Sequence, residues 1–430
     1  MDTFLPYILL ILFMLFMLLG MPICFAAGIP STIYLIFNNI PLSMIVQRMG
    51  FSLNSFNLLS IPMFMLAGIL MNESGVTKRI FNFASDVVSP LPAGLAHANI
   101  LASLIFAGMS GSALADVAGL GQVEIKAMRD NGYDIDFSIA VTLASSTVGP
   151  IFPPSGMFIL YALMAEVSVL AMFLAGVIPG ILITIALMIY VSIIAKKRNF
   201  PKRNRITLNK LALSFLDALP ALFTPVIIIG GMITGIFSVT EAAVCAVIYT
   251  LFLGIFIYKE LNLKKIYNCC LNVIYFSSSL AFLISTALFL GWVLIVSRIP
   301  QNIAEYIISL GLNVNIFIMV ILIFLLLLGT MIENSTIILL VIPIIIPGLR
   351  TMGIDLVHFG VVMMLTICIG LLTPPMGLSL FIASNMTNVK IERIIREIMP
   401  FLIPLITITF ILAYLPDLVL YLPRLFNLID

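Results

Sequence analysis

Two stretches of this chain interrupt apolar runs long enough to cross a bilayer. They are VGPIFPPSG, Val148 to Gly156, and IGLLTPPMG, Ile369 to Gly377. Proline removes a helix donor and clashes with the preceding turn, so each stretch must unwind its helix at mid-depth and free backbone carbonyls there. Hydroxyls gather around both. Ser145 and Ser146 precede Gly149 and Pro150, with Ser155 after Pro153 and Pro154; Thr366 and Thr373 flank Gly370, ahead of Pro374 and Pro375. Two short polar segments add to them. GMSGSALAD contributes Ser110, Gly111, Ser112 and Asp116, and GTMIENST contributes Glu333, Asn334, Ser335 and Thr336. Carbonyls and hydroxyls in a dehydrated cage are hard oxygen ligands, the chemistry a sodium ion requires. Amide-rich helix N-termini suit an anionic group, and carbonyl-rich C-termini suit a cation.

Each hydroxyl taken alone has a structural explanation, since Ser and Thr back-bond to helical carbonyls and let helices pack closely. Their clustering at two breaks and two polar tips favours a binding site. Carboxyls inside a membrane are costly and default to function, although Asp116 is also placed to cap a tip helix. His97 and His358 lie at no ligand spacing and read as core or interfacial histidines. The methionines follow apolar faces and read as packing. The cysteines, Cys24, Cys245, Cys269, Cys270 and Cys368, read as reduced small hydrophobes without a disulfide framework. No GxxxxGK[ST] phosphate loop is present, which argues against direct ATP drive. Neither HExxH nor GxSxG supports a hydrolase, and no loop gathers acids or histidines as a membrane transferase would need.

The elements that position these residues follow from composition. Only 9% of the 430 residues are charged and 62% are hydrophobic, with a mean hydropathy of +1.22; globular chains carry about 25% charge. The expected fold class is therefore an all-α polytopic membrane protein. Its net charge of +2 indicates no nucleic-acid partner. The apolar start, Phe4 to Leu19, has no basic flank or cleavage site and reads as a retained span. At about 20 residues per crossing, spans are expected near 5–27, 30–46, 53–72, 137–165 and 170–195, then near 219–236, 242–258, 270–296, 356–384 and 398–415. Between the third and fourth span of each half lie apolar pieces too short to cross, at about 94–128 and 316–349. Hinged at polar tips, they are expected to be re-entrant helical hairpins.

Shifted by 221 residues, the two broken spans and hairpins align without a gap over about 55 positions. Gly108 meets Gly329, Arg129 meets Arg350, Gly132 meets Gly353, Asp134 meets Asp355, Gly149 meets Gly370, and the Pro-Pro pairs and Gly156 and Gly377 coincide. Two repeats are expected, at 1–195 and 217–430, joined by a basic linker at 196–216. Each repeat holds five transmembrane helices plus one hairpin. An odd number of crossings turns the second repeat upside down, the inverted arrangement of secondary transporters. The segment Lys196 to Lys210 carries seven basic and no acidic residues, which places the linker in the cytoplasm. The same walk puts Lys78, Arg79, Lys259, Lys264, Lys265, Lys390, Arg393 and Arg396 inside. Glu166, Glu241 and both chain ends then fall outside.

GMSGSALADVAGLG, STVGPIFPPSGMFILYA, GTMIENSTIILLVIP and IGLLTPPMGLSLF together resemble the large membrane subunit of tripartite ATP-independent periplasmic (TRAP) transporters, over essentially the whole chain. The resemblance implies an elevator-type importer in the bacterial inner membrane. It is driven by sodium and takes an organic acid, a C4-dicarboxylate or a sugar acid, from a periplasmic substrate-binding protein. A small four-helix membrane subunit is implied as a partner, and as a separate polypeptide, because no extra N-terminal helices precede the first span. By match, sodium is expected at Ser110, Gly111, Ser112, Ser145, Ser146, Gly149 and Pro150, and at Glu333, Asn334, Ser335, Thr366, Gly370 and Thr373. The substrate path is expected along Asp116, Pro153, Pro154, Ser155, Thr336, Pro374 and Pro375. Two positions depart from the family pattern: Thr366 and Ser379 stand where the family usually carries Asn. The alternative is a stand-alone sodium/divalent-anion symporter of related two-hairpin architecture.

Overall fold

The computed structural model describes residues 5–110, 113–198, 200, 207–309, 311 and 313–429, and among them there is no strand. The chain opens with α1 (Leu5–Leu18), α2 (Ile23–Phe37) and α3 (Ser43–Leu53). A 3-10 turn, Phe56–Leu59, then leads into α4 (Ser60–Glu73). Next come α5 (Val76–Val87), α6 (Gly94–Ser110), α7 (Ala113–Ala118), α8 (Leu120–Asp130), α9 (Ile135–Ser146), α10 (Gly156–Ala165) and α11 (Val169–Arg198). The second half holds α12 (Leu208–Ile233), α13 (Val239–Phe252) with a π turn at Leu253–Ile257, α14 (Leu263–Val296), α15 (Ile299–Ser309), α16 (Val314–Gly329) and α17 (Asn334–Thr351). It closes with α18 (Leu356–Gly370), α19 (Leu378–Thr387), α20 (Ile391–Tyr414) and α21 (Pro416–Leu425). Among the described residues, seven helical stretches are long and apolar enough to cross a membrane: 56–73, 169–198, 208–233, 239–257, 263–296, 334–351 and 391–414. Shorter apolar helices fill the space between them.

Several sequence expectations move. The first two spans break at Gly20 to Pro22 rather than at 28–30. Gly20 adopts φ +77°, and Pro22 stands at the N-cap of α2. Pro30 is accommodated inside α2, where Ser31 and Thr32 hydroxyls donate to the carbonyls of Ala27 and Gly28 at 2.7 and 2.8 Å. Within the expected 196–216 linker, α11 runs through Arg198 and α12 begins at Leu208; residues 199 and 201–206 lie outside the described residues. Lys196, Lys197 and Arg198 suit the negative end of the α11 dipole, and Arg198 is anchored by Glu397 at 2.5 Å. The amphipathic helices α5 and α15 were not anticipated.

Element order in the two halves keeps the 221-residue register. Ile135 and Leu356 begin α9 and α18, and the segment from α3 through α4 occupies the register of the single helix α14. The matched residues have local reasons. Gly132 and Gly353 take φ of +84° and +68° in the turns before α9 and α18. Asp134 and Asp355 then cap these helices, accepting from the backbone N–H of Asp136 and His358 at 3.4 and 2.8 Å.

Charged residues pair across elements distant in the chain. Arg79 donates to Asp217 at 3.2 Å and to Glu260 at 3.0 Å, and lies 4.0 Å over the Tyr258 ring. Lys265 pairs with Glu73, and Arg393 with Asp136. Arg350, separately, lies 3.9 Å from Glu166. Arg79 thus pins α5 to the start of α12 and to the turn after α13. Replacing it with Ala is expected to cost about 1–2 kcal/mol, the sum of one cation–π contact and two half-exposed pairs. Thermal unfolding of the detergent-solubilised chain measures this. Lys at this position is expected to restore little, because it lacks the planar fork.

Candidate functional site

Both helix breaks occur where the prolines place them, between α9 and α10 and between α18 and α19, and both Pro-Pro bonds are cis. The hairpin elements clasp them in a crossed manner. Within each half, α6 and α8 pack on α9, and α16 packs on α18; across the halves, α10 packs on α17, and α7 on α19. Each hairpin therefore supports its own half's first half-helix and the other half's second half-helix, which joins four segments into one body.

Against this body stand α4 and α14. Between them lies a cavity of ≈ 490 Å³ where both tips and the first break converge. Phe106 and Leu114 come from the first hairpin, Pro154 and Met157 from the break, and Glu333 and Ser335 from the second tip. Ile61 to Asn72 on α4 and Phe276 and Leu280 on α14 form the opposite wall. A second cavity, of ≈ 610 Å³, lies farther along the same helices, at Leu163 to Glu166, Leu288 to Ile295 and Pro343 to Arg350. Between the two sets of lining residues along α14 and α17 are the buried Ile284, Ser285, Thr286, Ala287, Ile338, Leu339 and Ile342. Two cavities thus lie in succession along α14 and α17.

In the first half, Ser145 belongs to a closed network. Its hydroxyl lies 2.8 Å from Asn99 Oδ1 and accepts from Ser103 at 3.0 Å, while Asn99 Nδ2 donates to Thr142 at 2.7 Å. Ser146 and Thr147 back-bond to Leu143 and Ala144. Ser155 caps α10 and donates to the Pro150 carbonyl at 2.7 Å, so its hydroxyl closes the break itself. Gly149 is required where it is: an added Cβ would strike the carboxylate of buried Asp116. Pro153 is buried and Pro154 faces the cavity. Ser110 ends α6, whereas Gly111 and Ser112 lie outside the described residues.

In the second half, Glu333 takes the N-cap position of α17 and accepts from the Ser335 hydroxyl. Asn334 is buried, and its Nδ2 donates to Cys368 Sγ at 3.2 Å. Its Oδ1 has no hydrogen-bond partner. Thr336 is buried at the start of α17. Thr366 and Thr373 donate to the Val362 and Ile369 carbonyls, each at 2.8 Å, which leaves their oxygen lone pairs available. Gly370 lies directly against Gly329, and the Gly377 N–H donates to the Thr330 carbonyl at 2.9 Å, so the second break is fastened to the second tip. Pro374 is partly exposed and Pro375 exposed.

Several residues were missed from sequence. Asn99, Ser103 and Thr142 sit on different helices, and only packing brings them together. Glu124, buried on α8 with Oε1 unpartnered, carried the same signal as Asp116, an acid in an apolar segment, and could have been found. Ser379 is fully buried with an unpartnered Oγ. Cys368 is a hydrogen-bond acceptor rather than only a small hydrophobe. The two histidines are structural: His97 meets Ser192 at 3.2 Å and His358 meets the Leu412 carbonyl at 2.8 Å.

Comparison with known proteins agrees with this architecture. The family model described as "Tripartite ATP-independent periplasmic transporter, DctM component" matches residues 10–418. The sialic acid TRAP transporter permease protein SiaT of Haemophilus influenzae is 39% identical over 424 residues, 97% of this chain and 68% of that one. The sialic acid TRAP transporter large permease protein SiaM of Vibrio cholerae is 40% identical over 408 residues, 95% of this chain and 96% of that one. Among solved structures, the YdaH transporter of Alcanivorax borkumensis matches with a TM-score of 0.63 over 87% of this chain and 89% of that one, at 14% identity, a likeness of fold. With its two clasped helix breaks, its polytopic all-helical body and a family match over nearly its whole length, the chain belongs to the DctM component family of tripartite ATP-independent periplasmic transporters, the large permease subunits.

Proposed function

We propose that this chain is the transport subunit of a sodium-coupled importer of the bacterial inner membrane. It takes an organic acid from a periplasmic substrate-binding protein and works beside a small four-helix membrane subunit. The observation that carries this is the convergence of both tips and the first break on one cavity, set between a clasped body and two long helices. The two halves are inverted repeats, with both termini periplasmic. The body slides past α4 and α14 as an elevator, so that the cavity opens first at the Arg350 end, outside, and then at the Arg79 end, inside. The register of the cavities along α14 and α17 implies a slide of about 12 Å, at ~1.5 Å per helical residue.

Sodium is the coupling cargo. Its best ligands lie at the second tip and break, where Asn334 Oδ1 and Ser379 Oγ are buried oxygens lacking a donor. Thr366, Thr373 and freed carbonyls complete a hard-oxygen set. In the first half the tip and the carbonyl of Pro150 are the corresponding candidates, while Ser145 serves mainly to lock α6 to α9. Likeness to sialic acid permeases over almost the whole chain favours a carboxylated sugar as the substrate class.

The test is N-acetylneuraminate uptake by proteoliposomes holding this chain and its small subunit, with the binding protein added outside. Uptake is expected only when all three are present. High-affinity uptake by this chain alone would contradict the tripartite reading and favour a stand-alone symporter.

A further inference from the structure

The ≈ 610 Å³ cavity has a chemistry the transport cycle described above does not use. Arg48 on α3 lies on one wall, its guanidinium 4.7 Å over the ring of Trp292, the chain's only tryptophan. Its Nε is buried without a hydrogen-bond partner, and among the described residues no carboxylate pairs with it. On the opposite wall stands Arg350 of α17. Among the described residues its one carboxylate partner is Glu166, 3.9 Å away and 82% exposed, a rim contact rather than a neutralising pair. Gln301 adds an amide to the lining. Two guanidinium groups therefore face a partly enclosed cavity with one loosely held acid. A low-dielectric wall concentrates such a field, and the planar guanidinium fork matches a carboxylate or phosphate oxygen pair.

We propose that this cavity is an oxyanion vestibule that receives the carboxylate of the organic acid before it enters the seam. The identity of the anion rests on the proposed transport function, while the existence of the site does not. Arg48 belongs to the wall that stays and Arg350 to the body that slides. A carboxylate bridging them is held at one end of the path and released as the walls shift past each other.

The experiment uses the complete transporter in phosphatidylcholine vesicles with Gln301→Cys as a reporter, subtracting the reaction of the unsubstituted chain. Modification by a sulfonate-bearing methanethiosulfonate is compared with that by its trimethylammonium counterpart. The anionic-to-cationic rate ratio is expected to fall about tenfold on adding Arg48→Gln, the scale of electrostatic focusing in a charged cleft. Arg350→Gln, which leaves Arg48 stacked on Trp292, is expected to lower it likewise. N-acetylneuraminate at millimolar concentration is expected to slow modification in the parent and not in Arg48→Gln. An unchanged ratio in both variants overturns the proposal. So does protection that appears only when phosphatidylglycerol is added, which assigns the cavity to a lipid phosphate. Charge selectivity and protection persisting in a preparation without sodium-driven uptake support the vestibule while rejecting the coupling mechanism.

Discussion

Replacing external sodium by potassium is expected to bring acid uptake in fully reconstituted proteoliposomes down to the level of empty vesicles. Asn334→Ala is expected to raise the half-saturating sodium concentration at least about tenfold. The second follows from the geometry of the second tip. Asn334 Nδ2 is tied to Cys368, which aims Oδ1 into a buried space where no protein donor meets it. Ser379 Oγ is in the same condition on the far side of the break. A bare buried acceptor costs about 1–3 kcal/mol, and a cation removes that cost. Losing one ligand to a charged partner is worth about 1.5–3 kcal/mol, hence a shift of roughly ten- to a hundredfold. Ser379→Ala is expected to act in the same direction. Sodium dependence unchanged in both variants would place the ion elsewhere. Equal uptake in potassium, lost only with a protonophore, would reject sodium coupling altogether.

Gly370→Val is expected to abolish transport. A Cβ on Gly370 would lie 2.6 Å from both Gly329 Cα and its carbonyl carbon, and 2.9 Å from the Leu326 carbonyl oxygen. These are backbone atoms of α16, and no side chain can move aside for them. The helices would have to separate where the second tip and second break are fastened by the Gly377 to Thr330 hydrogen bond. Overpacking ordinarily costs about 1–3 kcal/mol, and here the strain falls directly on the proposed sodium ligands. The control is Gly348→Ala on α17, whose added Cβ would meet only the Phe317 ring at 3.5 Å. Gly348→Ala is expected to transport normally. Uptake and size-exclusion profiles of the two variants, measured side by side, decide it; normal uptake by Gly370→Val would show that the close crossing is dispensable.

Much of this arrangement was legible because its determinants are local. Proline cannot donate, so Pro153-Pro154 and Pro374-Pro375 marked the breaks. Asp134 and Asp355, matched as a repeat pair, cap the starts of α9 and α18, and the polar segment GTMIENST falls at the turn between α16 and α17. The first 53 residues were harder. Almost everything there is apolar, and Pro30, the conspicuous breaker, sits inside α2, while the real break is at Gly20 and Pro22. Contacts between distant residues were not legible at all. Ser145 reads the same whether it faces an ion or Asn99, 46 positions away, and only packing selects Asn99. Arg48 and Trp292, likewise, are far apart in the chain, and only packing stacks them.

In the proposed cycle the two cavities exchange access as the body slides past α4 and α14. Spin labels at Ile295→Cys on α14 and Thr351→Cys on α17, both exposed sites at the Arg350 end, measure that slide by pulsed dipolar spectroscopy. Two distance populations are expected, displaced by up to about 12 Å, the helical rise between the cavities. Their balance is expected to shift when sodium and N-acetylneuraminate are added together. A single distance, unmoved by sodium and acid in a preparation that transports, would contradict it.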